Sequence, residues 1–384
     1  MLKWLLRTVL ALVLAVVAVG IWKRDDISRL IAVNTLFDEE NIVGNFSSMP
    51  SLFFSTPLPR GTSDVTALTE GIPASLPASA ETWITDRTLT SLLALKGGEV
   101  VHESYYQGTD ADDLRVSWSV AKSFLSSLMG IVIEEGAIAS LDDPVKKYAP
   151  MLEGSAYDGA TIRNVLQMSS GVTFDEDYLD FNSDINKMGR ILALGGSMDG
   201  FAAGLTETFA PPGEQWKYVS IDTHVLGMVI RGATGQSIPD LMTEKLIGPL
   251  GLQADPVYVT DGFGVAFVLG GLNVTTRDYA RFAQMIADGG RWNGQQIVPG
   301  DWIAASTVPS AKTAPGKIQY GYQWWIPADA TTGEFMARGI YGQYIYFDVS
   351  RDVVIITTAA DRKFREPGVA DQNIAVLREI AAAL

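Results

Sequence analysis

The stretch RVSWSVAKSFLSSLMGIVIEEG, residues 115–136, constrains the fold more than any other. Trp118, Val120, Phe124, Leu125, Leu128, Met129, Ile131 and Val132 recur at helical spacing but leave no polar face. A helix that is apolar on every side belongs inside a protein, with other elements packed all round it. Lys122 sits in the middle of this run, three residues after Ser119. Residues i and i+3 share one face of a helix. The bland alternative, a solvated lysine on a surface helix, conflicts with these neighbours, because a buried ammonium without a carboxylate is costly.

The rest of the chain suits such a centre. Gly97-Gly98 separates two β-prone runs in LLALKGGEVVHESYYQG, which reads as a hairpin with a tight turn. The middle is mostly helical. ATIRNVLQMSSGV reads as a helix ending at a glycine. Residues 220–252 read as two helices broken at Gly232 to Gly235 and at Gly248-Pro249. TTRDYARFAQMIADGG starts on a capping residue and stops on Gly-Gly, and RWNGQQIV is a small Asn-Gly hairpin. Near the C-terminus the period changes to two: FMARGIYGQYIYFDVSRDVVIITTAA holds strands broken at Ser350-Arg351-Asp352, and a last helix follows. Strands at both ends of a helical middle predict an α+β fold. An antiparallel sheet flanked by helices would take strands from both ends, with a mostly helical subdomain inserted between.

The N-terminus carries a different signal. WLLRTVLALVLAVVAVGIW, residues 4–22, is apolar apart from Arg7, and at 1.5 Å per residue it is long enough to cross a bilayer core. Lys3, Arg7 and the amino terminus precede it, which favours the N-terminus inside and the bulk of the chain outside, on the periplasmic side. A cleaved signal peptide is the competing reading, with Ala18-Val19-Gly20 as a poor processing site. The expected divisions are an anchor or signal segment at 1–24, a connecting and covering segment at 25–85, rich in Pro, Ser and Thr, and a catalytic domain at 86–384.

Composition removes several functions. A net charge of −15 argues against nucleic acid as a partner. With no cysteine there is no disulfide, thiolate nucleophile or cysteine-bound zinc. Only two histidines are present, His102 in the predicted hairpin and His224 in a helix, and both read as structural. The acidic run DEDYLDFNSD lacks the glycine and closing glutamate of a calcium loop and reads as solvated. No metal or other cofactor is expected.

Chemistry therefore rests on Ser119. At a helix N-terminus its backbone N–H is free to meet an oxyanion, and the helix dipole favours negative charge there. A lysine desolvated one turn along shifts toward its neutral form and can accept the serine proton. Tyr218, on the loop PPGEQWKYVS, can carry a proton if a cation lowers its pKa. On its own it reads equally as a packed aromatic.

SWSVAKSF, PPGEQWKYVS, GGLNVTTRDYARFAQMIADGG and YGYQWWIP, in this order, resemble the serine β-lactamase and penicillin-binding-protein superfamily. The resemblance is to its class C-like esterases and amidases, and within them to the nylon-oligomer (aminohexanoate-dimer) hydrolases. It covers roughly residues 85–384 and implies a β-lactamase/transpeptidase-like fold. It further implies Ser119 as acylated nucleophile, Lys122 as its activator and Tyr218 as the shuttle that protonates the leaving group and later activates water. The third superfamily motif, Lys-Thr-Gly, falls at Ala337-Arg338-Gly339. By position, the N–H of Ile340 joins that of Ser119 in the oxyanion hole. Tyr178 matches a substrate-contacting tyrosine, and Asn273 falls near the substrate side. Arg338 either replaces the missing lysine charge or is a surface strand residue. Ser220 stands where β-lactamases usually carry Asn. Both departures count against β-lactams and leave a small ester or linear amide as the expected substrate. A non-catalytic, membrane-tethered module binding peptidoglycan peptides and a D-amino-acid peptidase are the alternatives.

Overall fold

The computed structural model describes residues 1–62 and 64–384. Its scaffold is an eight-stranded sheet. The spatial order is Gln319–Tyr320, Trp325–Ile326, Glu334–Gly339, Gln343–Asp348, Val353–Ala359, Leu89–Lys96, Glu99–Tyr105 and Thr69–Glu70. All pairings are antiparallel except the last, where Thr69–Glu70 runs parallel to Glu99–Tyr105. The C-terminal strand Val353–Ala359 lies against Leu89–Lys96, with Ile355 opposite Ala94. The two ends of the chain thus close one sheet, as the sequence pattern predicts.

The central strands are apolar on both faces because both faces are covered. Leu92, Ala94, Tyr346 and Ile355 pack under the helices Ala78–Asp86 and Val369–Ala383. Leu93, Leu95, Ile345 and Ile356 face the larger core. Alternate residues of one strand point to opposite sides, so a strand buried twice reads as a continuous apolar run, LTSLLALK.

That larger core is built round the helix Ala121–Glu134, which is buried from Ala121 to Val132. Phe124 stacks on Phe282 at 3.6 Å between centroids. Gly130 is where Trp302 crosses: a Cβ there would lie 2.3 Å from the indole. The small hydroxyls on this helix find carbonyls, Ser123 to Gln323 at 2.8 Å and Ser126 to Tyr322 at 2.7 Å, so their burial costs little.

Two helical expectations change. The helix expected over ATIRNVLQMSSGV spans only Ile162–Leu166, behind a Thr161 capping box, because Met168 turns left-handed at φ 53°. At Gly248-Pro249 the chain does not break. A π-helical turn, Thr243–Ile247, runs into Gly248–Leu250, and the proline occupies a first-turn position where its missing N–H is not needed.

The helix Leu2–Trp22 has no buried residue. Two further helices, Arg24–Asn34 and Ile42–Leu52, come after it in the chain. Ile42, Phe46 and Met49 recur at helical spacing and are buried. The buried Arg115 guanidinium donates to the Val43 carbonyl at 2.8 Å and to the Ser47 hydroxyl at 2.7 Å. Segment 25–85 therefore does more than connect, and its Ser55–Pro57 strand enters a second, four-stranded sheet in the order Ser55–Pro57, Val257–Val259, Leu272–Val274 and Arg115–Val116.

Candidate active site

The second sheet delivers Ser119. Strand Arg115–Val116 ends with the Ser117 N–H on the Leu272 carbonyl at 2.7 Å. Trp118 then takes φ 43°, a turn that a tryptophan rarely accepts, and the 3-10 turn Trp118–Val120 leads into the long helix. The tight turn is held from below. The Trp118 ring packs edge-on against Phe46 at 5.4 Å, and Phe37 stacks on Tyr341 at 4.7 Å.

Lys122 lies one turn further in and is 1% exposed. Its Nζ donates to the Leu269 carbonyl at 2.9 Å and sits 5.6 Å from the Tyr218 ring centre. Burial pushes its pKa down to about 7, against the opposing pull of the Glu176 and Asp222 charges. Asp222 is itself pushed up to about 7 by burial and accepts from the Tyr157 hydroxyl at 2.7 Å.

Tyr218 stacks on Trp325 at 4.9 Å, and it lines the same cavity as Ser119. Burial raises its pKa. Ser119 and the Arg338 charge pull the other way and do not reverse the shift. The proton-carrier role expected from sequence requires a tyrosine whose pKa a cation lowers. Here the net shift runs upward, because loss of water outweighs one partly exposed guanidinium.

The strand Glu334–Gly339 closes the site. A Cβ on Gly339 would lie 2.8 Å from the Ser117 carbonyl and 3.1 Å from the Ser119 nitrogen. The strand thus reaches the Ser119 turn only because residue 339 has no side chain. Ile340 follows, and Tyr341 takes φ 61°, a second strained position beside the site. Arg338 lies over Trp325 at 5.6 Å and Tyr344 at 5.9 Å rather than in open solvent.

Two cavities meet at Ser119. One of about 280 Å³ is walled mostly by apolar side chains, with Asn34, Asn186, Arg190 and Ser220 among them. The other, of about 250 Å³, carries Glu176, Tyr218, Trp325, Arg338 and Gly339. Ser119, Tyr178 and Ile340 line both. Of the site residues singled out from sequence, Lys122 and Asn273 line neither cavity; Lys122 sits beside Tyr218, whereas Asn273 belongs to the second sheet. Asn273 is fully buried and donates to the Val257 and Gly271 carbonyls at 3.1 and 2.9 Å. His224 is buried on Asp199 at 2.7 Å, and His102 belongs to the hairpin opposite Ala94. Among the described residues no cluster of carboxylates and histidines is arranged to hold a metal ion.

Sequence reasoning missed Glu176. It lies inside the acidic run expected to be a solvated loop, yet it is half-buried, and loss of water raises its pKa. One carboxylate oxygen accepts from the Ser220 N–H. The other accepts from the Ser220 hydroxyl and the Tyr178 hydroxyl, both at 3.1 Å. A carboxylate brought from 44 residues away thus holds the position where the departure to serine occurs. Nothing in DEDYLD distinguishes this glutamate from its neighbours.

Residues 86–379 match the family described as Beta-lactamase. The 6-aminohexanoate-dimer hydrolase of Paenarthrobacter ureafaciens is 31% identical over 280 residues, which cover 69% of this chain and 71% of that one. A Bacillus anthracis structure assigned as a 6-aminohexanoate-dimer hydrolase superposes with a TM-score of 0.78 at 23% identity, over 90% of this chain and 95% of that one. A family VIII carboxylesterase superposes with a TM-score of 0.61 at 16% identity, over 82% of this chain and 99% of that one. These two likenesses are of fold.

Proposed function

We propose, for a chain that belongs to the Beta-lactamase family and is a hydrolase by its kinship with amide and ester hydrolases, that Ser119 cleaves an ester or linear amide through an acyl-enzyme. The observation that carries this reading is the buried Lys122 amine, one helical turn from Ser119 and 5.6 Å from the Tyr218 ring centre, with Ser119 and Tyr218 lining one cavity.

Neutral Lys122 takes the Ser119 proton as the oxygen attacks the carbonyl carbon. The N–H groups of Ser119 and Ile340 receive the oxyanion. As the bond to the leaving group breaks, the Tyr218 phenol gives its proton to the departing nitrogen or oxygen, and Lys122 returns one to Tyr218. Water then attacks the acyl-Ser119 ester, its proton passing back through the same pair. A phenol kept neutral by burial suits the donor step. Arg338, Gly339 and Tyr178 contact the substrate. The 6-aminohexanoate dimer named as the substrate of the Paenarthrobacter relative fits this scheme, whereas β-lactams fit it poorly without the Lys-Thr-Gly lysine.

Leu2–Trp22 holds the enzyme at a membrane, with the catalytic body on the periplasmic side. At 1.5 Å per residue, 21 residues reach about 30 Å, the thickness of a bilayer core.

Intact-mass labelling with a fluorophosphonate tests the central step. The expected result is a single adduct on wild type and none on Ser119→Ala. Absence of an adduct on wild type favours the peptide-binding module. Release of D-alanine from peptides in preference to nitrophenol from esters favours the D-amino-acid peptidase.

A further inference from the structure

Resting on that hydrolase reading, we propose that the first cavity is an acyl-chain pocket, so that the substrate is an amphiphile whose scissile ester or amide bears a linear apolar acyl chain. Ser119 and Ile340 line both cavities, but Tyr218 lines only the second. A phenol that protonates the leaving atom stands on the leaving-group side, which leaves the first cavity to the acyl part. The wall there includes Val33, Phe37, Met49, Met188 and Phe267. Asn34, Asn186, Arg190 and Ser220 also line it, but apolar side chains make up most of the wall, and against these a polar acyl group would lose water without gaining partners. An alkyl chain gains roughly threefold to fourfold in affinity per buried methylene.

The cavity's mouth points the same way. Leu179 and Phe181 are 88% and 60% exposed, although both line it. They are held there: the Asn186 amide donates to the Tyr178 carbonyl at 3.0 Å and the Asp180 carbonyl at 2.8 Å. Arg190 donates to the Phe181 carbonyl at 2.8 Å and lies 3.8 Å over its ring. Large apolar side chains pinned in the open beside an apolar cavity form an entry for an apolar chain. One wall, with Val33 and Asn34, is the helix Arg24–Asn34, separated from the exposed helix Leu2–Trp22 by Lys23 alone.

The test is a series of nitrophenyl esters from acetate through butyrate and octanoate to dodecanoate, below their micelle concentrations. A companion series lengthens the alcohol instead. Binding of N-octanoylglycine to Ser119→Ala is read by calorimetry. In wild type, kcat/KM should climb about tenfold or more from acetate to octanoate. Gly189 lines the cavity, and a Cβ there meets only Val33 at 3.9 Å. Gly189→Phe should cut the octanoate-to-acetate ratio about tenfold and weaken octanoylglycine binding in step, while Gly189→Ala keeps both. A flat acyl series, or a rise that follows the alcohol chain, overturns the pocket and leaves the hydrolase standing. Octanoylglycine binding that Gly189→Phe weakens, in a protein that cleaves no ester, supports the pocket and overturns the hydrolase.

Discussion

At the scale of single residues the site turns on one lysine. In the proposed mechanism its working form is the neutral amine, and burial pushes its pKa down to about 7. Activity should therefore be full above that pH and fall as pH drops through about 7, the reverse of an enzyme that needs an ammonium. A pH profile of kcat/KM reads this midpoint directly. Glu176 holds the midpoint up by its negative charge, so Glu176→Gln should move it to lower pH, its amide oxygen still able to accept the Ser220 N–H. An unmoved midpoint would limit Glu176 to positioning Ser220 and Tyr178. Lys122→Met should cost about a hundredfold to ten-thousandfold in kcat, the usual range for a proton-transfer partner. Gly339 sets a steric limit rather than a charge. A methyl 2.8 Å from the Ser117 carbonyl must push the strand away from the nucleophile turn. Gly339→Ala should lower kcat more than tenfold with little change in the melting temperature, and full turnover would show that the strand can yield.

At the scale of elements, legibility followed length and locality. The C-terminal strands were readable because each is six or seven residues long and its turns are local. The helix Ala121–Glu134 was readable because it is apolar all round. The second sheet was not. Its strands have two or three residues each, too few to show alternation, and come from three separate stretches of chain. Ser119, Lys122, Tyr218 and the 338–340 strand end could be located through motif order, and the structure brings them together. Glu176 could not, because its role comes from burial and long-range contact, not from local pattern. Helix Ile42–Leu52 was hidden by the Pro- and Ser-rich stretch around it, yet it carries Phe46, which is fully buried against Trp118. Phe46→Ala should cost about 3–5 kcal/mol of stability, the range for deleting a buried aromatic. It should also lower kcat, since it loosens the strained turn before Ser119. Thermal unfolding and ester kinetics on one sample check both effects, and a loss of stability without loss of rate would show that the turn holds itself.

At the scale of the whole molecule, the question is where the catalytic body begins. The family match starts at residue 86, and a boundary there would make everything before it an accessory. The packing argues otherwise. Phe37 stacks on Tyr341, beside the proposed oxyanion donor, and Arg115 spends its buried guanidinium on Val43 and Ser47. Ser55–Pro57 supplies an edge to the sheet from which the nucleophile turn emerges. Removing residues 42–57 would leave the Arg115 charge buried without these partners and uncover Trp118, two of the costliest kinds of change. The helix Leu2–Trp22, by contrast, contributes no buried residue. A chain starting at residue 24 should therefore keep the melting temperature and ester turnover of the full protein and lose only its membrane association. One starting at residue 58 should unfold or fall inactive. Equal activity from both would mean that the catalytic body does begin near residue 86, and that the aromatic contacts from Phe37 and Phe46 are dispensable.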